Sequence, residues 1–341
     1  MPLIAADADI PFLEGRLDGL ARVRLLRQDE FTREAVADAD AMMIRTRTRC
    51  NRDLLEGSHV GFIATATIGM DQFDLPACRQ MGIGVRNAPG CNAPGVAQYV
   101  WASLMHAGID PKEITIGVVG HGNVGTIVAE WGELLGARVL VNDPPKEEAM
   151  RARVENVPGN YTDLDTLLRN CDVVTLHTPM TREGAHPTFH LIGGHEMEMM
   201  REGAVLINAA RGPVIDTEAV KKAIRQKGIK AIIDCWEGEP VIDLELLDLA
   251  MTATYHIAGY SLEGKQRATR QALEAIGEHF GFKPDLSGLA APYTPFRSLD
   301  AATVRDSFDP APVMAELKAA PRQFDTLRAA YTYRPEPKGI R

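Results

Sequence analysis

The segment Ile114-Thr-Ile-Gly-Val-Val-Gly-His-Gly-Asn-Val-Gly125 decides the fold of this chain. Its first six residues are an apolar run typical of a buried strand, and the pattern from Asn123 to Leu135 predicts a helix. Gly120 suits a tight turn, Gly122 allows a ligand to approach the backbone, and Gly125 lets the helix pack closely on its strand. Because a helix N-terminus offers unpaired N–H groups, this strand–turn–helix unit predicts a site for a phosphate-bearing ligand.

An acidic residue follows the next predicted strand. Asp143 stands where a carboxylate accepts hydrogen bonds from ribose hydroxyls and repels a 2′-phosphate. The motif therefore predicts a dinucleotide site that prefers NAD to NADP. Its predicted residues are Gly120, Gly122, Asn123, Val124, Gly125 and Asp143. A glycine-rich turn with no ligand and an ordinary capping aspartate are the alternative interpretations.

Short apolar runs alternate with helical patterns along most of the chain. Strands are predicted at residues 2–6, 41–45, 60–64 and 83–86, and then at 114–119, 138–141, 173–176, 204–207, 231–233 and 252–254. Alternation of this kind indicates parallel sheets covered by helices. The predicted fold class is α/β, with two Rossmann-like doubly wound parallel-sheet domains and a short C-terminal dimerisation appendage.

The predicted NAD-binding domain spans residues 93–257. Residues 1–92 and 258–285 are predicted to form the substrate or catalytic domain, and 286–341 the dimerisation segment. This tail lacks enough periodic apolar sequence for a core of its own, yet it keeps large apolar side chains that need burial. They are Phe296, Phe308, Val313, Leu317, Phe324, Leu327 and Tyr331. A partner subunit is the simplest place to bury them, so a homodimer is predicted.

Composition narrows the class of protein. The chain has 341 residues, enough for two domains, and a formal net charge of −9, which disfavours a nucleic-acid partner. It contains no apolar run near the length of a membrane span and no basic segment typical of a signal peptide at its start. The five cysteines are scattered and form no C-x-x-C, so neither a disulfide framework nor a zinc site is expected. These features predict a cytoplasmic protein.

Four loops after predicted strands carry chemically useful side chains. Arg211 follows strand 204–207, at the sheet edge where doubly wound domains bind ligands, and its guanidinium can clamp a carboxylate. A surface salt bridge is the alternative. Glu239 and His256 follow the next two strands, and a carboxylate bound to an imidazole can support proton transfer during hydride transfer. His177 and Thr178 are predicted to line the site, with Thr178 nearer the nicotinamide ribose.

A histidine in a loop is more often inert than catalytic. We therefore expect no chemistry from His186, His190, His195 and His279. His121, inside that motif, is expected to be a solvated loop residue.

These pieces together resemble a known family. Asn208-Ala-Ala-Arg-Gly212, Glu237-Gly-Glu-Pro240 and His256 are similar to the motifs of the D-isomer-specific 2-hydroxyacid dehydrogenases. Within that family, Asp143-Pro-Pro145 and the run from His256 to Lys265 resemble a branch that oxidises a phosphorylated 2-hydroxy acid. The likeness spans nearly the whole chain. Gln98 departs from it, since the family tends to carry glutamate there.

The resemblance implies roles for individual residues. It implies catalysis by Arg211, Glu239 and His256, cofactor contacts by Asp143, Thr178, Asp234 and Gly259, and substrate contacts by Thr46, Thr67 and Tyr260. It implies a small phosphorylated hydroxy acid as substrate and NAD as cofactor. The alternatives are another dehydrogenase of the family, acting on phosphoglycerate or glyoxylate, and a non-catalytic NAD-sensing protein on the same fold.

A phosphorylated substrate needs a cationic contact on this acidic protein. Arg45 and Arg47 lie beside Thr46 at the end of a predicted strand. We expect one of them to bind the phosphate. Two solvated surface charges are the alternative interpretation.

Overall fold

Two parallel sheets organise the computed structural model, which describes residues 1–340. These residues form eleven strands, β1 Leu3–Asp7, β2 Arg22–Leu26, β3 Ala41–Ile44, β4 Phe62–Thr65, β5 Gly84–Arg86, β6 Thr115–Val119, β7 Arg138–Asn142, β8 Val173–Leu176, β9 Val205–Asn208, β10 Lys230–Ile233 and β11 Thr252–Ala253. They also form fourteen α-helices, α1 Arg33–Val36, α2 Arg52–Leu55, α3 Leu75–Gln80, α4 Ala93–His106, α5 Asn123–Leu135, α6 Pro144–Ala152, α7 Leu164–Asn170, α8 Gly194–Met199, α9 Thr217–Lys227, α10 Leu244–Leu249, α11 Leu262–Phe280, α12 Ala301–Asp306, α13 Pro310–Ala319 and α14 Phe324–Ala330. None of the helices within these 340 residues is long and apolar enough to cross a bilayer.

The chain divides into two compact units. The first comprises Met1–Asn92 and Leu262–Tyr293, and the second comprises Ala93–Ser261 with the chain from Thr294 onward. The tail, predicted as a separate dimerisation segment, therefore groups with the unit that carries the glycine motif.

The first unit contains a five-stranded parallel sheet in the order β2-β1-β3-β4-β5. Strands β1, β3 and β4 are buried throughout, because helices cover both faces of the sheet. Sequence analysis missed β2. Its Arg22 and Arg24 alternate with exposed Val23 and Leu25, so the strand resembles a surface segment and is recognised only by its pairing with β1.

The second unit contains a six-stranded parallel sheet in the order β11-β10-β9-β8-β6-β7. All six strands predicted from residue 114 onward are present, and the predicted fold class is confirmed. A single parallel bridge between Val141 and Tyr161 stands beyond β7, where a third strand of the Rossmann order would lie. Strand β6 lies between β7 and β8, so the glycine motif begins at the point where the strand order reverses.

Some of the large apolar side chains of the tail are buried within their own chain, and these do not need a partner subunit for burial. Leu317 and Phe324 are 0% and 1% exposed in the single chain. The Phe308 ring packs against Tyr99 with centroids 5.5 Å apart, and the Tyr255 hydroxyl donates to Glu316 at 2.6 Å. Four of the seven apolar tail residues are thus buried in the single chain, while Phe296, Leu327 and Tyr331 stay partly exposed. The homodimer stays a prediction.

One arginine fastens the end of the tail. The Arg334 guanidinium, 7% exposed with its residue, donates to the carbonyls of Gly95 and Ile257 at 3.0 Å and to Gln98 Oε1 at 3.0 Å. The Gln98 amide in turn donates to the carbonyls of Ser307 and Pro335 at 3.2 and 2.8 Å. A carboxylate could accept from Arg334 but could not donate to those carbonyls, which explains how glutamine suits this position.

Candidate active site

Loops of the second unit meet at the carboxyl edge of its sheet, where doubly wound domains bind ligands. The predicted site residues of this unit follow the ends of six strands. They are Gly120–Gly125 after β6, Asp143 after β7, His177 and Thr178 after β8, Arg211 after β9, and Asp234 and Glu239 after β10. His256 follows β11, the last strand of the sheet.

The glycine turn requires glycine at two positions. Gly120 has a φ of +89°, and a Cβ there would lie 2.8 Å from the His177 carbonyl. A Cβ on Gly125 would lie 1.9 Å from the Gly120 oxygen, so strand and helix approach closely. Gly122 caps α5 without a side-chain hydrogen bond. The first N–H groups of that helix, including those of Asn123 and Val124, therefore form an open anion-binding turn.

Asp143 is fixed beside this turn. One carboxylate oxygen accepts from the His121 N–H at 2.7 Å, and the other caps α6 by accepting from the Lys146 N–H at 3.0 Å. The Lys146 ammonium donates to the His121 carbonyl at 2.6 Å. Burial and the neighbouring Lys146 charge lower the pKa of His121 to about 4, so its ring is neutral at pH 7.

The loop after β8 contains two buried polar atoms that are not hydrogen-bonded within the described part of the chain. Thr178 Oγ1 and His177 Nδ1 are buried and have no hydrogen-bond partner within residues 1–340. Burial lowers the pKa of His177 to about 3, so that ring is also neutral. Unsatisfied buried polar groups are rare without a functional reason. Together with the open glycine turn and the Asp143 carboxylate, they fit a bound dinucleotide.

Arg211 is positioned by its backbone. The buried Asn208 amide donates to the carbonyls of Arg211 and Cys235 at 3.0 and 3.2 Å, which ties the arginine loop to the loop that follows β10. The Arg211 guanidinium donates to the Ala210 carbonyl at 2.9 Å.

Asp234 ties the β10 and β11 loops together. Its carboxylate is 1% exposed with its residue and accepts from the Thr254 hydroxyl at 2.7 Å, the Ile257 N–H at 2.7 Å and the Ala258 N–H at 3.0 Å. The His256 N–H donates to the Asp234 carbonyl at 2.9 Å. The structure thus places Asp234 as the residue that holds the His256 loop, while its contact with a cofactor stays a prediction.

Glu239 and His256 form the predicted pair. His256 Nδ1 lies 2.6 Å from Glu239 Oε1, and the second carboxylate oxygen accepts from the Trp236 N–H at 3.1 Å. Because a carboxylate only accepts, Nδ1 carries the proton and Nε2 is left as the basic nitrogen. Burial disfavours the charge on Glu239, but the His256 hydrogen bond and the Arg328 charge hold the pKa of Glu239 below its usual value. The arrangement is a histidine base backed by an ionised carboxylate.

The C-terminal tail also contacts the loop that carries His256 and Tyr260. Arg328 of α14 donates from Nε to the His256 carbonyl at 3.2 Å, and its guanidinium lies 5.5 Å from the centre of the Tyr260 ring. Tyr331 packs edge-on against Tyr260 at 6.3 Å. Gly259 lies in the intervening turn, closed by the Tyr260 N–H donating to the Ile257 carbonyl at 2.8 Å.

The other predicted substrate residues lie in the first unit. Thr67 Oγ1 is 2.7 Å from Thr65 Oγ1, and Thr46 and Arg47 are exposed. Arg45 is already engaged, since its guanidinium lies 3.2 Å from the Asp7 carboxylate and 2.7 Å from that of Asp9. A guanidinium held by two carboxylates is a poor phosphate ligand, which argues against Arg45 in that role.

Sequence reasoning missed three residues of the arrangement, which are Asn208, Arg328 and Arg334. Asn208 carried a usable signal, because a buried amide at a strand end precedes the catalytic loop. The two tail arginines carried none, since each lies more than seventy residues from the loop that it contacts.

Known proteins show the same architecture and motifs. Residues 85–258 match the model of the "D-isomer specific 2-hydroxyacid dehydrogenase, NAD binding domain". An erythronate-4-phosphate dehydrogenase of Bacteroides fragilis is 41% identical over 98% of this chain and 97% of its own, and one of Azotobacter vinelandii is 40% identical over 99% and 94%. A D-lactate dehydrogenase of Aquifex aeolicus, solved with NAD and lactic acid, superposes with a TM-score of 0.67 at 25% identity, covering 82% of this chain and 95% of the other. The chain therefore belongs to the D-isomer-specific 2-hydroxyacid dehydrogenase family.

Proposed function

We propose that the chain oxidises 4-phospho-D-erythronate to the corresponding 2-oxo acid with NAD as cofactor. One observation carries the proposal, namely the 2.6 Å contact between His256 Nδ1 and Glu239 Oε1. It leaves a basic nitrogen on a residue that the Arg328 cation contacts, which suits the oxidation of an anionic hydroxy acid. The names of the relatives that are about 40% identical over nearly the whole chain support this substrate.

Each residue of the site has a separate role in the proposed reaction. Arg211 binds the substrate carboxylate and polarises the C2 oxygen. His256 Nε2 removes the proton from the C2 hydroxyl, and Glu239 stabilises the imidazolium that forms. NAD, held by the glycine turn and Asp143, would supply the hydride acceptor, so that loss of one proton and one hydride converts the C2 alcohol into a ketone. Asp234 holds the His256 loop in place throughout.

We also assign binding roles to the loops, supported by their geometry and by the family resemblance. We assign the pyrophosphate to the turn of Gly120, Gly122 and Gly125 and the adenosine ribose to Asp143. Thr178, His177 and Gly259 would contact the nicotinamide half. Thr46, Thr67, Tyr260 and Arg47 stay predicted contacts of the substrate.

We also propose the pathway, the cellular compartment and the oligomeric state of the protein. Oxidation of this phosphorylated acid would be a step in pyridoxal 5′-phosphate synthesis, and we place the protein in the cytoplasm. We propose a homodimer on the family resemblance, supported by the tail side chains Phe296, Leu327 and Tyr331, which stay partly exposed in the single chain. Sedimentation velocity tests this, and a monomer at micromolar concentration would contradict it.

A substrate panel tests the activity. NADH formation is measured with 4-phospho-D-erythronate, D-erythronate, D-3-phosphoglycerate and D-lactate, each with NAD. We expect kcat/KM for the first acid to exceed the others by at least about a hundredfold, the scale of two lost charge-assisted contacts. A higher value for any other acid, or no NADH from any of them, would reject the proposed substrate.

A further inference from the structure

Two arginines of the tail contact the His256 loop in different ways. Arg334 is saturated, since its guanidinium donates to the carbonyls of Gly95, Ile257 and Ala258 and to the Gln98 side chain. Arg328 makes one such contact, from Nε to the His256 carbonyl at 3.2 Å. A guanidinium has five N–H donors, so four donors of Arg328 face no protein acceptor within residues 1–340.

The surroundings of Arg328 make this incomplete bonding significant. The side chain is half-buried, and it forms no ion pair within the described part of the chain. Its guanidinium lies 5.5 Å from the centre of the Tyr260 ring, and Tyr260 is a predicted substrate contact. Withdrawing a cation from water is costly unless an anion completes its contacts. The location is therefore suited to an anionic ligand.

Arg328 also stands close to the proton-transfer pair. Burial opposes its charge, but the acidic groups of Tyr260, Glu239 and Asp234 raise the pKa of Arg328, so the guanidinium is charged at every accessible pH. Its contact with the His256 carbonyl and its position over the Tyr260 ring place a cation at the loop that carries the base. A cation there, in addition to Arg211 after β9, suits a substrate with two anionic groups.

We propose that Arg328 binds the phosphate of the substrate, while Arg211 binds its carboxylate. The assignment rests on the proposed function, which supplies a substrate with these two groups. Arg45 is excluded as an equivalent ligand by its contacts with Asp7 and Asp9. The tail, expected from sequence to serve assembly, thereby becomes part of the substrate site.

Three variants test the assignment. Arg328→Gln removes the charge and keeps a polar side chain, Arg322→Gln removes an exposed charge from the same tail, and Arg47→Gln removes the rival phosphate contact of the first unit. For each, kcat and KM are measured with 4-phospho-D-erythronate and with D-erythronate. Thermal melting and the Kd for NADH show that folding and cofactor binding are retained.

We expect R328Q to raise KM for the phosphorylated acid at least about tenfold, the scale of one charge-assisted hydrogen bond. Its kcat should stay within about threefold of the parent, and its constants for D-erythronate should barely change. R322Q should match the parent. Equal losses on both acids would show that Arg328 only positions His256, and a KM increase in R47Q without one in R328Q would move the phosphate to the first unit. Either result overturns the assignment.

Inorganic phosphate separates this inference from the proposed substrate. We expect millimolar phosphate, with NADH present, to raise the melting temperature of the parent and of R322Q but not that of R328Q. If the parent oxidises another hydroxy acid and not 4-phospho-D-erythronate, the proposed function fails while the phosphate result still decides the anion site. Equal phosphate protection of R328Q and the parent would overturn the site.

Discussion

Two histidines form short hydrogen bonds with glutamates of the same loop, but only one pair is built for proton transfer. His256 lies 2.6 Å from Glu239, and His190 lies 2.7 Å from Glu237. Both histidines have a positive φ, of +56° and +50°. By distance and backbone conformation the two pairs are almost the same.

The difference lies at the second ring nitrogen. His190 Nε2 contacts Glu237, while its Nδ1 lies 3.8 Å from the Asp216 carboxylate, and the ring stacks on Phe189 at 4.0 Å. Both nitrogens of His190 therefore face carboxylates, whereas His256 Nε2 has no partner within the described chain. Glu237 is further occupied by the Thr217 hydroxyl at 2.9 Å.

The charges around the pairs differ in sign. His190 borders a cavity of about 580 Å³ lined by Asp216, Glu218, Glu237 and Asp243, which would repel a doubly anionic substrate. His256 contacts the Arg328 side chain instead. Neither a histidine–carboxylate contact nor a large cavity identifies an active site unless the charges and the open nitrogen agree with the chemistry.

The sharpest test removes each imidazole in turn. His256→Gln should lower kcat by about 10² to 10⁴, the range for loss of a general base, while His190→Gln should stay within about threefold. Steady-state NADH formation measures both, with melting curves to verify folding. Similar losses of kcat in the two variants would show that the His256–Glu239 pair has no special role in proton transfer.

The carboxylates provide the next test. Glu239→Gln removes the negative charge that stabilises the imidazolium, so kcat should fall roughly ten- to a hundredfold. Glu237→Gln serves as the matched control and should keep kcat within about threefold of the parent. An unchanged kcat in E239Q would contradict the role of Glu239.

A substitution at Asp143 should weaken NAD binding but affect proton transfer much less. Asp143→Ala removes the acceptor of the His121 N–H and the predicted ribose contact, so KM for NAD should rise about tenfold and the preference over NADP should weaken. At saturating NAD, kcat should change less than in H256Q. Comparable use of NADP and NAD by the unaltered protein would disprove this assignment.

The smallest expected effect concerns stability. Burial opposes ionisation of Glu237, but hydrogen bonds from His190 and Thr217 hold the pKa of Glu237 below its usual value. Its stabilising contribution is therefore complete above the ordinary glutamate pKa and is lost as pH falls through the lowered one. E237Q should lose about 1 kcal/mol of unfolding free energy at pH 7 and less at pH 3, as urea titrations would measure. A constant difference in unfolding free energy between E237Q and the parent across that pH range would refute this role of the ionised Glu237 carboxylate.

Much of the second unit could be predicted because its determinants are local. Each of its six strands is a short apolar run, and the predicted site residues follow those runs directly, at the edge where parallel strands expose ligands. Thr178 and the His256–Glu239 contact followed from that rule. The rule fails for β2, whose arginines conceal an edge strand that only its pairing with β1 reveals.

The surface that buries the tail could not be predicted, for a related reason. Apolar residues such as Leu317 and Phe324 showed that burial was needed, but no local pattern says which surface provides it. Arg328 and Arg334 contact residues far away in the chain, and their roles appear only once the fold brings them to the His256 loop. The same limit applies to Asp234. The family resemblance implied a cofactor contact, which stays a prediction, while its hydrogen bonds to the His256 loop appear only in the fold.

The pH dependence of the residual activity of His256→Gln tests the central claim most directly. The unaltered protein should lose kcat/KM for 4-phospho-D-erythronate as pH falls, because protonation of His256 removes the base. In H256Q the remaining activity should lack this acid limb and rise only with hydroxide. If H256Q retains the same limb at the same pH, another group removes the proton, and the assignment of His256 as the base is wrong.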